Sequence, residues 1–245
     1  MAQLPSQRPP AIEVRGLYKS YGRAGVLKGL RLDVPWGEVV VVLGSNGSGK
    51  TTLMRILATL TRPDGGTVQV AGLDPYKLGR QVRSQIGVVT HDPLLYDDLT
   101  GYVNLRFMTR MFGLDRAGER IESAAGRLGL SARLHQRVGT LSHGLKKRFT
   151  IARALLHDPK ILLMDEPESG LDQESQTTLD TLIRDPAASF GSVLITTHSP
   201  ERAAAMGDRV AILARGLIAH TAPIGRNTDP DTIRRLYVES AGAVQ

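Results

Sequence analysis

Short runs of apolar, mostly branched residues recur along the chain and give the first indication of its fold. A run of this kind, without polar alternation, predicts a strand that is buried on both faces, as in a parallel sheet. The runs assigned to core strands are, in chain order, Val39–Leu43, Ile86–Val89, 161–164, 193–197 and 210–213. Apolar residues at helical spacing after the first run predict a helix: Leu53, Ile56, Leu57 and Leu60.

Polar and apolar residues alternate before the first core strand. Residues 12–34 show this period of two on either side of a glycine-containing break, which predicts two antiparallel strands. A short strand within residues 65–72 and a closing hairpin over residues 210–218 are also predicted. Because parallel strands need helical crossovers, the early strands predict an antiparallel sheet packed beside the parallel one.

Residues 94–156 carry no strand pattern. Their apolar residues recur at helical spacing, for example Val103, Phe107 and Met111. This stretch predicts an all-helical insert at about residues 92–157. It holds four aromatic residues, Tyr96, Tyr102, Phe107 and Phe112. Aromatic residues fill small cores and are also enriched at protein interfaces, and both roles stay open for these four.

The segment GSNGSGKT, residues 44–51, lies between a predicted core strand and a predicted helix and has the spacing GxxxxGK[S/T]. Its glycines let several backbone N–H groups point inward, and the helix start adds partial positive charge. Lys50 can reach the β- and γ-phosphates of a nucleotide, and the Thr51 hydroxyl can bind Mg²⁺. The predicted nucleotide-binding residues of this phosphate loop are Gly44, Ser45, Asn46, Gly47, Ser48, Gly49, Lys50, Thr51 and Thr52.

Two carboxylates, Asp165 and Glu166, follow the apolar run 161–164. In a nucleotide-binding sheet, ligands gather outside the carboxyl ends of the strands, where this pair would lie. Asp165 is suited to hold Mg²⁺ through water, and Glu166 to accept a proton from an attacking water or to orient it. His198 follows the next core strand and is expected at the same edge.

The composition of the whole chain narrows the classes of protein. A chain of 245 residues forms one large domain or two small ones. It contains no cysteine, which excludes disulfides, thiolate zinc sites and cysteine nucleophiles. No apolar run approaches the roughly 20 residues that span a bilayer. The formal net charge of +7 is spread along the chain, so it is weak evidence for a nucleic-acid or membrane-surface partner.

Further motifs, in order, resemble those of the ATP-binding subunit of ATP-binding cassette (ABC) transporters, over residues 12–219. The segment LSHGL resembles the LSGGQ signature of that family, SGLD resembles its D-loop, and His198 matches its switch histidine. Tyr21 lies where the family places an aromatic residue that stacks on adenine. The signature residues are Leu141, Ser142, His143, Gly144 and Leu145, and the D-loop residues are Ser169, Gly170, Leu171 and Asp172. The resemblance implies an α/β fold, with a P-loop NTPase core of mostly parallel sheet, an antiparallel β subdomain and an inserted all-helical subdomain.

The resemblance also implies that two cassettes lie head to tail. Ser142 and Gly144 would then act on the γ-phosphate held by the partner's phosphate loop, and Asp172 would bridge the two halves. His198 would hold the γ-phosphate and Glu166 in place for attack by water. ATP and Mg²⁺ are the implied cofactors. The implied partners are integral membrane permease subunits and a second ATP-binding subunit, either the same chain or a close paralogue, and the implied location is cytoplasmic, on the inner face of the cell membrane.

Two positions depart from the family pattern. His91 stands where the family usually has a glutamine that contacts Mg²⁺ and relays the ATP state to the helical insert. A neutral imidazole can still accept a hydrogen bond from a metal-bound water, so His91 is included among the catalytic and metal-site candidates. His143 and Leu145 replace glycine and glutamine of the signature. Ser142 and Gly144 are retained, so closure over ATP is expected to survive.

The stretch HDPLLYDDLT, residues 91–100, followed by NLRF at 104–107, resembles more specifically the ATP-binding subunits of bacterial exporters, above all the haem exporter of cytochrome c maturation. The predicted function is therefore ATP hydrolysis that drives export of a substrate, such as haem, a drug or a lipid-like compound, through separate membrane subunits. In this family the substrate contacts the membrane subunits.

Two other functions were weighed. A soluble ABC-type ATPase scaffold, as in iron–sulfur cluster assembly, is the main alternative, because the run Lys146-Lys147-Arg148 is similar to that group. A nucleic-acid- or ribosome-associated cassette is indicated only by the positive charge. Relatives of that kind usually carry paired cassettes, long coiled coils or zinc-binding cysteines, which this sequence lacks. No nucleic-acid partner is therefore expected.

The expected domain organisation has three parts. Residues 1–10 form a disordered lead-in, residues 11–222 a single ABC ATPase domain, and residues 223–245 a C-terminal tail with one short helix at about 232–238.

Overall fold

The structure is a computed structural model that describes residues 9–184, 191–225 and 228–243. Most of the lead-in expected at residues 1–10 thus lies outside the described residues. The strands are β1 Ile12–Tyr21, β2 Ala24–Val34, β3 Val39–Leu43, β4 Gly65–Val70, β5 Ile86–Val89, β6 Ile161–Asp165, β7 Ser192–Thr197, β8 Arg209–Ala214 and β9 Leu217–Pro223. The α-helices are α1 Lys50–Leu57, α2 Gly79–Gln85, α3 Gly101–Met111, α4 Ala117–Arg127, α5 His143–Leu155, α6 Gln173–Arg184, α7 Pro200–Met206 and α8 Pro230–Ala243.

A six-stranded sheet forms the centre of the described chain, with the strand order β5-β6-β7-β3-β8-β9. Its strands run parallel except for β9, which is antiparallel to β8. The five apolar runs of the sequence become β3, β5, β6, β7 and β8, and every residue of β6 and β7 is buried. Burial on both faces explains why these strands read as continuous apolar runs. Their carboxyl ends carry the phosphate loop, Asp165 and His198.

A three-stranded antiparallel sheet, with the order β2-β1-β4, lies beside this central sheet. Ile12, Leu17 and Leu30 of the small sheet share one apolar cluster with Val40 of β3 and Leu53 of α1. The shared cluster fixes the position of the small sheet relative to the phosphate loop.

Residues 92–157 contain α3, α4, α5 and two short 3-10 helices, Ser131–Arg133 and Val138–Thr140. Thr100 caps α3 by accepting a hydrogen bond from the Val103 N–H at 3.2 Å, and Ser142 caps α5 through the Leu145 N–H at 3.3 Å. Such caps satisfy N–H groups that have no partner within the helix. The helical stretch packs against the other face of the central sheet, in a cluster that includes Phe149 and Met164.

The predicted α/β fold, with a mostly parallel sheet, an antiparallel sheet and a helical insert, is confirmed, with three local differences from the sequence pattern. The first helix ends at Leu57, and Leu60 lies beyond it with 58% of its surface exposed. Helix α2 was not predicted, because Val82 is its one buried residue and gives no periodicity. The expected tail contains α8, which is longer than predicted and whose Ile233 is buried in the main apolar cluster. The division into domains stays a prediction.

No helix among the described residues combines the length and the apolar character needed to cross a bilayer.

Candidate functional site

The phosphate loop connects β3 to α1 in a conformation that depends on glycine. Gly49, the residue before α1, has φ 112°, and a Cβ there would lie 2.8 Å from Leu27 Cδ2. A Cβ on Gly44 would lie 2.6 Å from Ser48 Oγ. Ser48 is buried, and its hydroxyl has no hydrogen-bond partner among the described residues. An unpaired buried hydroxyl in a glycine-shaped loop before a helix suits a phosphate oxygen as its partner.

Lys50, the first residue of α1, is buried, with 5% of its surface exposed. Its ammonium group donates to the carbonyl oxygens of Gly44 at 2.8 Å and Ser45 at 3.1 Å. It also lies 3.1 Å from Glu166 Oε1. These contacts hold the Lys50 ammonium group between the phosphate loop and the carboxylates at the end of β6.

The end of β6 is held to the end of β7. Asp165 pairs with Thr196 in the parallel register, and the Thr196 hydroxyl donates to Asp165 Oδ1 at 2.5 Å. The Glu166 N–H donates to the Thr196 carbonyl at 3.1 Å and to the Thr196 hydroxyl at 3.2 Å. Glu166 has φ 44°, a left-handed conformation that is strained for a residue with a side chain and is typical of functional sites. These bonds orient the Asp165 and Glu166 side chains at the edge of the sheet.

Glu166 lies between two basic groups. Besides Lys50, His198 Nδ1 lies 3.5 Å from Glu166 Oε2. Burial alone would raise the pKa of Glu166, but the hydrogen bond and charge of Lys50, together with His198, hold that pKa below its ordinary value. The carboxylate is therefore ionised at neutral pH, which is the form that can accept a proton from water.

A cavity of about 220 Å³ lies between the phosphate loop and these carboxylates. The residues that line it are Asn46, Gly47, Gly49, Lys50, Thr51, Thr52, His91, Asp165 and Glu166. The structure thus brings most of the phosphate loop, both carboxylates and His91 together. None of the lining residues belongs to the signature or the D-loop, and Tyr21 does not line it either.

Tyr21 ends β1 and is 49% exposed. The ammonium group of Lys19 lies 5.6 Å from the centre of its ring. An exposed ring at this position is open to stacking by a planar partner.

The signature and the D-loop contact each other within the chain. A Cβ on Gly170 would lie 2.9 Å from His143 Nε2, and one on Gly144 would lie 2.7 Å from Ser175 Oγ. Asp172 accepts a hydrogen bond from the Ser175 N–H at 2.8 Å. His143 thus lies against the D-loop backbone, where a larger neighbour than glycine would not fit.

The basic run after the signature makes its contacts inside the chain. Lys146 pairs with Asp97 at 3.0 Å. Lys147 is 1% exposed and donates to the carbonyl of Thr90 at 3.1 Å. Arg148 donates to Ser175 Oγ at 3.0 Å and pairs with Glu174 at 3.1 Å. The run therefore connects α5 to neighbouring segments and does not form a free basic patch.

Sequence reasoning missed several polar residues close to the site: Thr196, Thr197, Glu168 and Lys147. The signal that was present is polarity inside an apolar strand, because Thr196 and Thr197 are fully buried at the end of β7. Buried hydroxyl groups need hydrogen-bond partners, and the nearest segments with carboxylates are those after β6.

A larger, mostly apolar groove of about 560 Å³ lies between α3, α5 and β5. Phe107, Phe112 and Tyr96 line it, and each has more than a third of its surface exposed. The rings of Tyr96 and Phe107 meet edge to face at 5.9 Å, and Phe112 stacks on His157 at 4.2 Å. The fourth aromatic residue, Tyr102, instead packs against the core and next to His135.

Within the described residues, no group of three or more His, Cys, Asp or Glu side chains could hold a metal ion. A magnesium ion that is shared with a nucleotide does not need such a group, because it is usually bound by one or two protein oxygens together with phosphate oxygens and water. Thr51 and Asp165 offer that kind of ligand in the cavity.

Comparison with known proteins identifies related sequences. The family model described as "ABC transporter" matches residues 27–169. An uncharacterized ABC transporter ATP-binding protein of Bacillus subtilis is 36% identical over 85% of this chain and 68% of its own length. The Nod factor export ATP-binding protein I of Ralstonia nicotianae is 38% identical over 84% of this chain and 65% of its own. The daunorubicin/doxorubicin resistance ATP-binding protein of Streptomyces peucetius is 37% identical over 87% of this chain and 65% of its own length.

Solved structures agree with these matches. An ATP-binding subunit of an ABC transporter superposes with a TM-score of 0.83 and 27% identity, over 94% of this chain and 99% of that one. A dimeric ATP-binding cassette in a post-hydrolysis state, bound to ADP and phosphate, superposes with a TM-score of 0.76 and 25% identity, over 87% of this chain and 99% of that one. The fold, the phosphate loop and these matches lead to one conclusion: this chain belongs to the ABC transporter family as an ATP-binding subunit with ATPase activity.

Proposed function

We propose that this chain is the ATP-hydrolysing motor of an export complex and works as one half of a head-to-tail dimer. The observation that carries the proposal is the cavity in which Lys50, Asp165, Glu166 and His91 meet, with His198 bound to Glu166. The exporter assignment is supported by two relatives, a Nod factor export protein and a drug resistance protein.

The phosphate loop residues 44–52 bind the triphosphate, and Lys50 neutralises its β- and γ-phosphates. Thr51 and Asp165 would hold Mg²⁺, which would shield the charge on the phosphates, and His91 would accept a hydrogen bond from water at this site. Glu166 orients the attacking water and takes its proton, and His198 keeps Glu166 and the γ-phosphate in position. Tyr21 stacks on the adenine ring.

The second half of the site comes from a partner chain. The signature residues Leu141–Leu145 do not line the cavity of their own chain, although Ser142 opens α5 with N–H groups suited to a phosphate. They therefore act on the nucleotide of the partner, with the D-loop residues 169–172 at the dimer interface. The partner is a second copy of this chain or a close paralogue.

The apolar groove is the docking site for a membrane permease. It is lined by Arg83 and Arg153 as well as by aromatic residues, and no aspartate or glutamate lines it. It therefore suits an apolar helical segment that carries a carboxylate. Docking there places the chain on the inner face of the membrane. The cargo class is haem, a drug or a lipid-like compound, on the resemblance of residues 91–107 to exporters.

Detergent extraction of membranes that contain the tagged chain tests the proposal. A transporter motor should co-purify with a polytopic membrane protein, whereas an assembly scaffold would co-purify with soluble partners only. Phe107→Asp should abolish membrane co-purification and leave the ATPase activity of the purified chain in place. Met111→Asp is the matched control, because Met111 lies on the same helix, is 69% exposed and does not line the groove. Equal co-purification by both variants would contradict docking in the groove.

A further inference from the structure

Three consecutive residues, the last two of β7 and the one after it, each contact an acidic residue at or just after the end of β6. Thr196 donates to Asp165, and His198 lies 3.5 Å from Glu166. Between them, the Thr197 hydroxyl donates a hydrogen bond to Glu168 Oε1. Because neighbouring residues of a strand face opposite sides, the Thr197 contact lies on the side of the strand away from Thr196. The two segments are therefore held together from both sides, with His198 at the end of the strand.

Glu168 is costly as a packing residue. Only 9% of its surface is exposed, and its Oε2 atom has no hydrogen-bond partner among the described residues. Burial raises the pKa of Glu168, and the bond from Thr197 opposes that rise. A buried carboxyl group with an unsatisfied oxygen lowers stability, so its presence points to a function.

The Thr197 hydroxyl also fixes the backbone beyond His198. It accepts a hydrogen bond from the Ser199 N–H at 3.1 Å, and Ser199 caps α7. The residues on either side of His198 are thus attached to one hydroxyl, which is itself attached to Glu168. Loss of this attachment would free the main chain that sets the distance between His198 and Glu166.

The loop that contains Glu168 also contacts α5, the helix that begins at the signature. The Leu171 N–H donates to the Glu168 carbonyl at 3.1 Å, which closes the first turn of the D-loop. Asp172 then accepts from the Ser175 N–H, and Ser175 Oγ accepts from Arg148 Nε at 3.0 Å. The segment 168–175 therefore extends from the switch histidine of one ATP site to the helix that begins with the signature.

We propose that Glu168 is a positioning residue for ATP hydrolysis: through Thr197 it holds His198 in register with Glu166 and attaches both to the D-loop. The inference rests on the roles proposed above for Glu166 and His198. Glu168 does not line the cavity and touches no reacting atom in this proposal. Its effect is on turnover, since the residues that bind the triphosphate lie on a different loop.

The test compares Thr197→Val, which keeps the shape and removes the hydroxyl, with Thr197→Ser, which keeps the hydroxyl. The kcat of the valine variant should fall about tenfold, since a hydrogen bond to a carboxylate in a preorganised site is lost, while KM for ATP stays within about twofold. The serine variant should retain kcat. Glu168→Gln, whose amide oxygen still accepts from Thr197, should retain kcat, and Glu168→Leu should lose it. Equal kcat values for the valine and serine variants would overturn the inference.

A second measurement separates positioning from general stabilisation. In a His198→Ala background, Thr197→Val should lower the single-turnover rate less than about twofold, because groups that act as a unit are not additive. A full tenfold loss in that background would show that Thr197 acts independently of His198 and would also overturn the inference. If His198→Ala and Glu166→Gln by themselves leave turnover unchanged, the proposed roles of these two residues fail; if they lower it while the valine and serine variants are equal, this inference alone fails.

Discussion

Lys50 and Glu166 form an ion pair across the central sheet, with Nζ of the lysine 3.1 Å from Oε1 of the glutamate. The two residues follow β3 and β6, which are separated in the sheet by β7. The ion pair therefore places the cation proposed to neutralise phosphate next to the carboxylate proposed to activate water. It also lowers the pKa of Glu166 against the effect of burial.

Replacement of the cation should weaken nucleotide binding. Lys50→Met removes a charge-assisted contact to phosphate worth about 1.5–3 kcal/mol, so Kd for ATP should rise roughly tenfold to a hundredfold. Equilibrium binding of a fluorescent ATP analogue measures this change. Lys77→Met is the control, because that lysine is exposed and pairs only loosely with Asp74 at 3.6 Å. An unchanged Kd in the Lys50 variant would contradict the proposed phosphate contact.

Replacement of the proposed base should instead stop turnover after binding. Glu166→Gln keeps an oxygen near Lys50 but cannot accept a proton, so the rate of phosphate release should fall about 10²–10⁴-fold while ATP still binds. With hydrolysis blocked, ATP should hold two chains together, which light scattering can detect. Glu122→Gln is the control, since that side chain is exposed and does not line the cavity. Undiminished phosphate release would mean that another residue is the base.

The fold was largely predictable because its strands are buried on both faces. Ile86–Val89 and Val39–Leu43 have the same bounds in the sequence pattern and in the structure. Surface helices were harder to predict. The series Val103, Phe107 and Met111 correctly indicated a helix, but these side chains are 42%, 45% and 69% exposed, so the periodicity marks an exposed face of α3 and not its core contact.

The residues of the candidate site could be named from the sequence, but their contacts could not. The phosphate loop and the carboxylates are recognisable from local patterns, and the gathering of ligands at strand ends follows from a parallel sheet. The Lys50–Glu166 pair depends on the strand order, which local patterns do not contain. The Thr197–Glu168 bond joins two buried residues, one of which looks like part of an apolar strand. The roles of all of these residues stay predictions.

Action of the signature across a dimer predicts complementation between inactive chains. Ser142→Asp should preserve the cap of α5, because aspartate caps helices as well as serine does, and its charge should repel the γ-phosphate. With ATP held near the Kd of the unchanged chain, this variant and Lys50→Met should each show little ATPase activity alone. A mixture should recover about a quarter of the activity of the unchanged chain, since random pairing gives half mixed dimers with one working site each.

The matched control for this experiment is Ser142→Asn, which caps the helix equally well without a charge. It should retain more activity than the aspartate variant when assayed alone. If the mixture of the two inactive chains recovers nothing although mixed dimers form, the signature acts on the nucleotide of its own chain. The proposed head-to-tail arrangement would then be wrong.

Burial of Glu168 should make the free energy of unfolding depend on pH. Its pKa is raised in the folded chain, mainly by burial, so the folded state keeps a proton that the unfolded state has already lost. The resulting contribution to the free energy of unfolding is complete below the ordinary glutamate pKa of about 4.3 and is lost as the pH rises through the raised value. Glu168→Gln cannot ionise, so it should become more stable relative to the unchanged chain as the pH rises.

Urea unfolding in a series of buffers from mildly acidic to mildly alkaline pH measures this difference. The gap between Glu168→Gln and the unchanged chain should widen in the direction of higher pH, because only the unchanged chain can lose a proton from this buried site. Because Glu168→Gln retains the acceptor for Thr197, the same variant should combine higher stability with nearly unchanged turnover. A constant gap for Glu168→Gln would mean that the carboxyl group is solvated in the folded chain, which would contradict its burial against Thr197.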